Sequence, residues 1–151
     1  MRTGFIGWLA IIINAIAFVP AGAHLFALPN KMRLAGKDYF VAQSIYGGWA
    51  MFGYVFLAAF VINIVFALLL RRQTLPFILC AAAALCIGSS LAVFLTWTYP
   101  ANQATSNWTV IPTHWQELRQ QWEMSHVVNA LIIFAGLCCV SWAALLSRPR
   151  G

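Results

Sequence analysis

Residues 44–99 read SIYGGWAMFGYVFLAAFVINIVFALLLRRQTLPFILCAAAALCIGSSLAVFLTWTY, and the only formal charges in that stretch are Arg71 and Arg72. An α-helix needs about 20 mostly apolar residues to cross a hydrocarbon core. Residues 44–70 and 73–99 each exceed that length without a Lys, Arg, Asp or Glu. The segment therefore reads as two membrane spans joined by a short basic hairpin. Neither run alternates as the strands of a membrane barrel do, and helices are the other structure that satisfies every backbone group in lipid.

Working outward, residues 4–28 and 124–147 contain no Lys, Arg, Asp or Glu, and one histidine each, His24 and His126. The last helix is expected to begin earlier, at Trp115, with its membrane part from about residue 124. The expected architecture is all-α: a single integral membrane domain over residues 1–151, folded as a four-helix transmembrane bundle. One end, formed by the connections between helices 1 and 2 and between helices 3 and 4, is polar and loop-rich. Composition agrees, with 62% hydrophobic residues, 8% charged residues and a mean hydropathy of +0.81. These values exclude a soluble globular domain and a disordered tail. Nine basic residues against three acids give a net charge of +6. Their scattering between apolar runs points to lipid headgroups rather than nucleic acid.

Arg2, the apolar stretch 5–19 and Ala21-Gly22-Ala23 have the outline of a cleavable secretory leader, but apolar sequence continues through Leu25, Phe26 and Leu28 and favours a retained span. With both termini inside, the inner face holds Arg2, Arg71, Arg72, Arg148 and Arg150, and the outer face holds Lys31, Arg33, Lys37 and Arg119. The short basic hairpin and the placement of all three acids at the opposite face favour cytoplasmic termini, in a bacterial inner membrane. The cysteines Cys80, Cys86, Cys138 and Cys139 show no metal-ligand spacing and are expected to be small packing residues. Residues 81–84 with Gly88, Ser89 and Ser90 make the third span rich in small side chains that let helices approach closely.

Chemistry gathers at the polar end. Trp115, Arg119, Trp122, His126 and Asn129 are spaced by four, three, four and three, so they share one helix face. Glu123 stands four after Arg119 and three before His126 and is placed to pair with either. A polar stripe that enters the bilayer is expected to face the bundle interior, whereas Trp108 and Trp115 are expected in an interfacial belt. His24 lies about 6 Å inside the same interface at 1.5 Å per residue, a depth that matches His126 and makes the two a candidate pair. Gln43, Tyr46 and Trp49, spaced at three and three, are expected to line the site from helix two. Asn14 and Asn63 are expected to hydrogen-bond across helices. Pro29 is expected to end the first helix, leaving Lys31 and Arg33 to meet lipid phosphate or guard a substrate entrance, with Asn30 and Lys31 as candidate substrate contacts. His114 is expected at the surface.

Three motifs carry a resemblance. Residues 23–31 (AHLFALPNK), residues 100–109 (PANQATSNWT) and the R-x-x-W-E-x-x-H core from Arg119 to His126 resemble a group of uncharacterised bacterial four-helix membrane proteins. That group is similar to the anthrone-oxygenase-like family. The resemblance implies oxidation of a polycyclic, phenol-like methylene to a quinone by dioxygen, without an obvious metal or flavin. Carried onto this chain, it makes His126 a base oriented by Glu123 and Arg119 the stabiliser of an enolate-type oxyanion. Trp122, Trp97 and Trp49 become flat walls for an aromatic substrate.

Three functions remain open on the residues alone. The first is an oxidoreductase or oxygenase acting on a lipophilic small molecule. The second is a haem or metal protein using His24 and His126 as axial ligands. The third is a non-enzymatic subunit that binds lipid, a second copy of itself or another membrane protein.

Overall fold

A computed structural model of the chain describes residues 2–147. Arg148, Arg150 and the side chain of Arg2, on which the inner-face charge count partly rests, lie outside the described residues. The fold is an all-α bundle. Its helices are α1 (Arg2–Lys31), α2 (Gly36–Gln43), α3 (Phe52–Leu70), α4 (Thr74–Val93), α5 (Tyr99–Ala104) and α6 (Trp115–Leu146). Four spans are long and apolar enough to cross a membrane: Thr3–Lys31, Trp49–Leu70, Thr74–Ala104 and Trp115–Leu146. The chain is an integral membrane protein.

Each long helix packs against two others: α1 against α3 and α6, and α4 against α3 and α6. The ring closes with little across its diagonals. Two apolar layers fill it. Near the Arg71–Arg72 turn lie Ala10, Phe66, Leu70, Cys80, Ala83, Val140 and Ala143. Nearer the middle lie Ala17, Ala21, Ala59, Ile87, Ala130 and Ile133. The many alanines permit close approach, which drives helix association where lipid removes the hydrophobic incentive. Gly136 shows how close: a Cβ there would stand 3.0 Å from Cys86 Cβ and 3.5 Å from Ala83 O. Leu57, Leu68, Phe134 and Leu145 point outward into the space lipid would fill. Asn14 and Asn63 exchange reciprocal amide hydrogen bonds at 2.9 and 3.1 Å, the cross-helix pairing expected of them.

The structure departs from the sequence expectations at three places. First, α1 does not stop at Leu28; it continues through Pro29 to Lys31. Proline removes one backbone N–H, a loss the neighbouring turns absorb, and the last turn is anchored by Lys31 itself. Second, the second span is not helical from Ser44. Two 3-10 turns, Ser44–Tyr46 and Trp49–Met51, flank Gly47 and Gly48, and Gly48 takes φ +81°, a conformation open to glycine without a side-chain clash. Third, α4 runs into α5 through a π-turn at Phe94–Thr98. Pro100 has no N–H to offer the fourth carbonyl back and its ring would strike it, and the wider turn relieves both.

Candidate functional site

The polar end of the bundle is closed by an aromatic layer of Tyr39, Phe40, Ala101, Trp108, Leu118 and Trp122, with Leu34, Tyr46 and Trp115 against it. Trp108 is 7% exposed, so it is a core residue and not the interfacial anchor its loop position suggests. Ser106, Asn107 and Trp108 take φ of 47°, 55° and 64°, a left-handed turn that swings the indole inward. Asn102 fixes it there: its Oδ1 accepts from Trp108 Nε1 at 3.2 Å and from Trp122 Nε1 at 2.8 Å. Buried indole N–H groups need such a partner.

Beneath this layer Glu123 is fully buried, and Lys31 is 4% exposed. Lys31 Nζ donates to Glu123 Oε2 at 2.7 Å, and the Tyr39 hydroxyl donates to Oε1 at 2.8 Å. Gln43 Nε2 donates to the Tyr39 oxygen in turn. The carboxylate is thus met on both oxygens, the arrangement a buried charge requires. Burial first, and the charge and hydrogen bond of Glu123 second, hold the Tyr39 phenol well above its ordinary range. Burial, then Glu123, raises Tyr46 as well. This partnership corrects the expected pairing of Glu123 with Arg119 or His126. It also corrects the expectation that Lys31 meets lipid phosphate.

Lys31 Nζ also lies 3.2 Å from His24 Nδ1. The rings of His24 and His126 stack at 4.0 Å and 24°, so the matched depth read from sequence is a direct contact. Trp122 sets an edge against both, at 4.8 Å from His24 and 4.1 Å from His126. Tyr46 covers His24 at 4.1 Å, and Trp49 stands 5.9 Å away. The spacing of three that links Gln43, Tyr46 and Trp49 suits 3-10 turns, which is how the chain delivers the last two. His126 Nε2 and Asn129 Oδ1 are buried without a hydrogen-bond partner.

Three expected site residues stand apart. Asn30 is exposed. Trp97 is 46% exposed and lines a shallow outer groove with Gln120, Gln121 and Met124. Arg119 turns away along α6: its Nη1 donates to Leu34 O at 3.0 Å, and its guanidinium lies 4.8 Å over Trp115 and 5.3 Å over Tyr39. It clamps the connection after α1 to the aromatic layer.

A haem does not fit between the two histidines as they stand. Ring-nitrogen lone pairs lie in the imidazole plane, so axial ligands must oppose each other edge to edge with the iron about 2 Å from each nitrogen, as in other imidazole–metal bonds. Stacked faces set the lone pairs side by side. Among the described residues no group of three or more His, Cys, Asp or Glu side chains is placed to hold a metal ion. The cysteines are free thiols, with Cys80 buried in the apolar layer.

One contributor, Tyr39, escaped the sequence reading, and a second, Asn102, stood in it without an assigned role. Tyr39 sits four before Gln43 on the short helix α2, a same-face spacing that pointed to it. Asn102 stands in the quoted PANQATSNWT motif beside the indole it binds. Comparison with protein-family models, curated proteins and solved structures gives no match to this chain.

Proposed function

We propose that the protein is a membrane oxidoreductase of the oxygenase type, acting on a flat, lipophilic, aromatic small molecule at the His24–His126 cluster. The observation that carries this reading is His126 Nε2, a buried nitrogen without a partner, on a ring fixed between His24 and Trp122. An oriented imidazole with a buried, unpaired nitrogen is a general base awaiting a proton.

The overall conversion is R2CH2 + O2 → R2C=O + H2O. His126 takes a proton from the activated methylene. The resulting anion delocalises as an enolate, and the Lys31 ammonium, held beside His24, is the nearest cation to stabilise it. The anion forms a carbon–oxygen bond to dioxygen. Loss of the second methylene hydrogen with cleavage of the O–O bond leaves the ketone, and the other oxygen departs as water. Dioxygen is the four-electron oxidant, so no further reductant is needed. In this scheme Glu123 keeps Lys31 in place, and Arg119 is structural.

The reading places the Arg71–Arg72 turn and both termini in the cytoplasm of a bacterial cell, with the site near the outer leaflet. The test is oxygen uptake by the detergent-purified protein with anthrone as the probe substrate. Wild type consumes oxygen in step with ketone formed, and His126→Ala loses at least tenfold in rate while unfolding at a similar temperature. Equal rates in the two proteins would overturn the assignment of His126.

A further inference from the structure

The polar atoms of α6 below Glu123 fall into two sets. Ser125 is fully engaged: its Oγ lies 2.8 Å from Thr98 Oγ1 and donates to Trp122 O at 2.6 Å. His126 Nε2 and Asn129 Oδ1 are engaged by nothing, although Asn129 is only 7% exposed. These two residues are three apart in sequence, so their side chains lie one turn apart on the same helix face, with Cβ atoms about 5–6 Å from each other.

An orphaned buried polar atom costs about 1–3 kcal/mol. Gln43 Oε1 and Arg119 Nε are orphaned too, but His126 and Asn129 are neighbours on one helix face, and together they outline a missing guest. The layer beneath, of Ala130, Ile133, Ile87 and Ala17, offers no side-chain partner. One face of the His126 ring is taken by His24, and Trp122 makes an edge-type contact with it, so a partner for the buried Nε2 would approach in the plane of the ring.

We propose that His126 and Asn129 together form a subsite for a single hydroxyl oxygen carried by an aromatic, lipophilic ligand. The ligand O–H donates to His126 Nε2. The Asn129 carboxamide, turned about its own axis because nothing holds its oxygen, donates Nδ2–H to the same hydroxyl oxygen. The pair reads one donor and one acceptor on one atom, which a hydroxyl supplies and an ether, a ketone or a bare ring does not. This deepens the reading above and rests on it: the substrate presents itself as the enol or phenol tautomer, and the proton that His126 removes is the hydroxyl proton, giving the same anion.

The test titrates 2-naphthol and naphthalene, ring systems that differ in one hydroxyl, into protein with isotope-labelled histidine in detergent micelles. Empty micelles correct for partitioning. Wild type binds 2-naphthol at least tenfold more tightly than naphthalene, and only 2-naphthol moves the His126 Nε2 resonance. Asn129→Leu brings the two affinities to within twofold. Thermal unfolding confirms that this variant is folded; if it is not, His126→Phe is measured in its place with the same expected loss of preference. Equal affinity of wild type for both probes overturns the hydroxyl subsite while leaving an aromatic site standing. Binding of neither probe overturns the subsite and the proposed function together.

Discussion

His24 and His126 stack face to face at 4.0 Å although they come from the first and last helices of the bundle. The stack orders the site. It packs the His126 ring with Nε2 buried, and His24 Nδ1 of the same stack lies 3.2 Å from Lys31 Nζ. Neither ring needs a hydrogen bond to the other, so the geometry depends on flat faces.

His24→Phe is therefore expected to preserve the stack and His24→Ala to abolish it. Aromatic pairs contribute about 0.5–1.5 kcal/mol beyond their buried area. Thermal unfolding in detergent should rank the variants wild type, Phe, Ala in falling stability. An alanine variant as stable as the phenylalanine one would show that the stack holds nothing in place.

Lys31 and Glu123 form a buried pair at 2.7 Å. Removing one partner of such a pair leaves an uncompensated charge and costs about 3–5 kcal/mol, whereas replacing both with apolar groups of similar volume is often neutral. Lys31→Met and Glu123→Leu are each expected to destabilise more than the double variant does. Strictly additive losses in a double-mutant cycle would contradict the pairing.

Arg119 separates the structural from the chemical assignment. Its contacts are Leu34 O, Trp115 and Tyr39, so Arg119→Ala is expected to lose about 1–3 kcal/mol of stability, the scale of a charge-assisted hydrogen bond. Oxygen uptake per folded molecule should change less than threefold. A hundredfold loss in a stable variant would return Arg119 to the role of oxyanion partner.

Tyr39 predicts an alkaline limit. Its folded-state pKa is raised above the ordinary value of 10.0 by burial first and by Glu123 second. The stability tied to this proton is fully present below pH 10 and is lost as pH rises above it, because the unfolded chain ionises there and the folded one does not. Denaturation midpoints measured from pH 9 to 11 should fall, and Tyr39→Phe should fall less steeply. Parallel profiles would refute the linkage.

Sidedness can be read with single cysteines in a chain whose four native cysteines are changed to alanine. Lys37→Cys, at the end that carries the site, is expected to react with a membrane-impermeant maleimide on intact cells. Arg72→Cys, in the opposite turn, should react after permeabilisation alone. The reverse pattern would invert the orientation.

The bundle was legible in the sequence because lipid imposes length and the absence of charge, and residues 44–99 display both around Arg71 and Arg72. The stripe of Trp122, His126 and Asn129 was legible because helical spacing is a local property. The depth match of His24 and His126 followed from counting residues along two spans. What stayed hidden depended on non-local partners. Lys31 read as an interfacial cation because nothing in the first helix announces a carboxylate on the last. Trp108 read as an anchor because its burial depends on a left-handed turn and on Asn102. Trp97 read as a wall because the π-turn that bears it is set by Pro100, not by its own neighbours.

The separation of Lys31 from Glu123, ninety-two positions along the chain, also bears on biogenesis. The first helix leaves the ribosome and meets the bilayer long before the carboxylate that neutralises it has been made. Until then Lys31 has water and phosphate for company, reached by extending its flexible stem toward the interface. Arrival of the last helix exchanges those companions for Glu123 and draws the ammonium inward. A chain cut short before residue 123 lacks the carboxylate altogether and leaves the Lys31 ammonium without its buried partner.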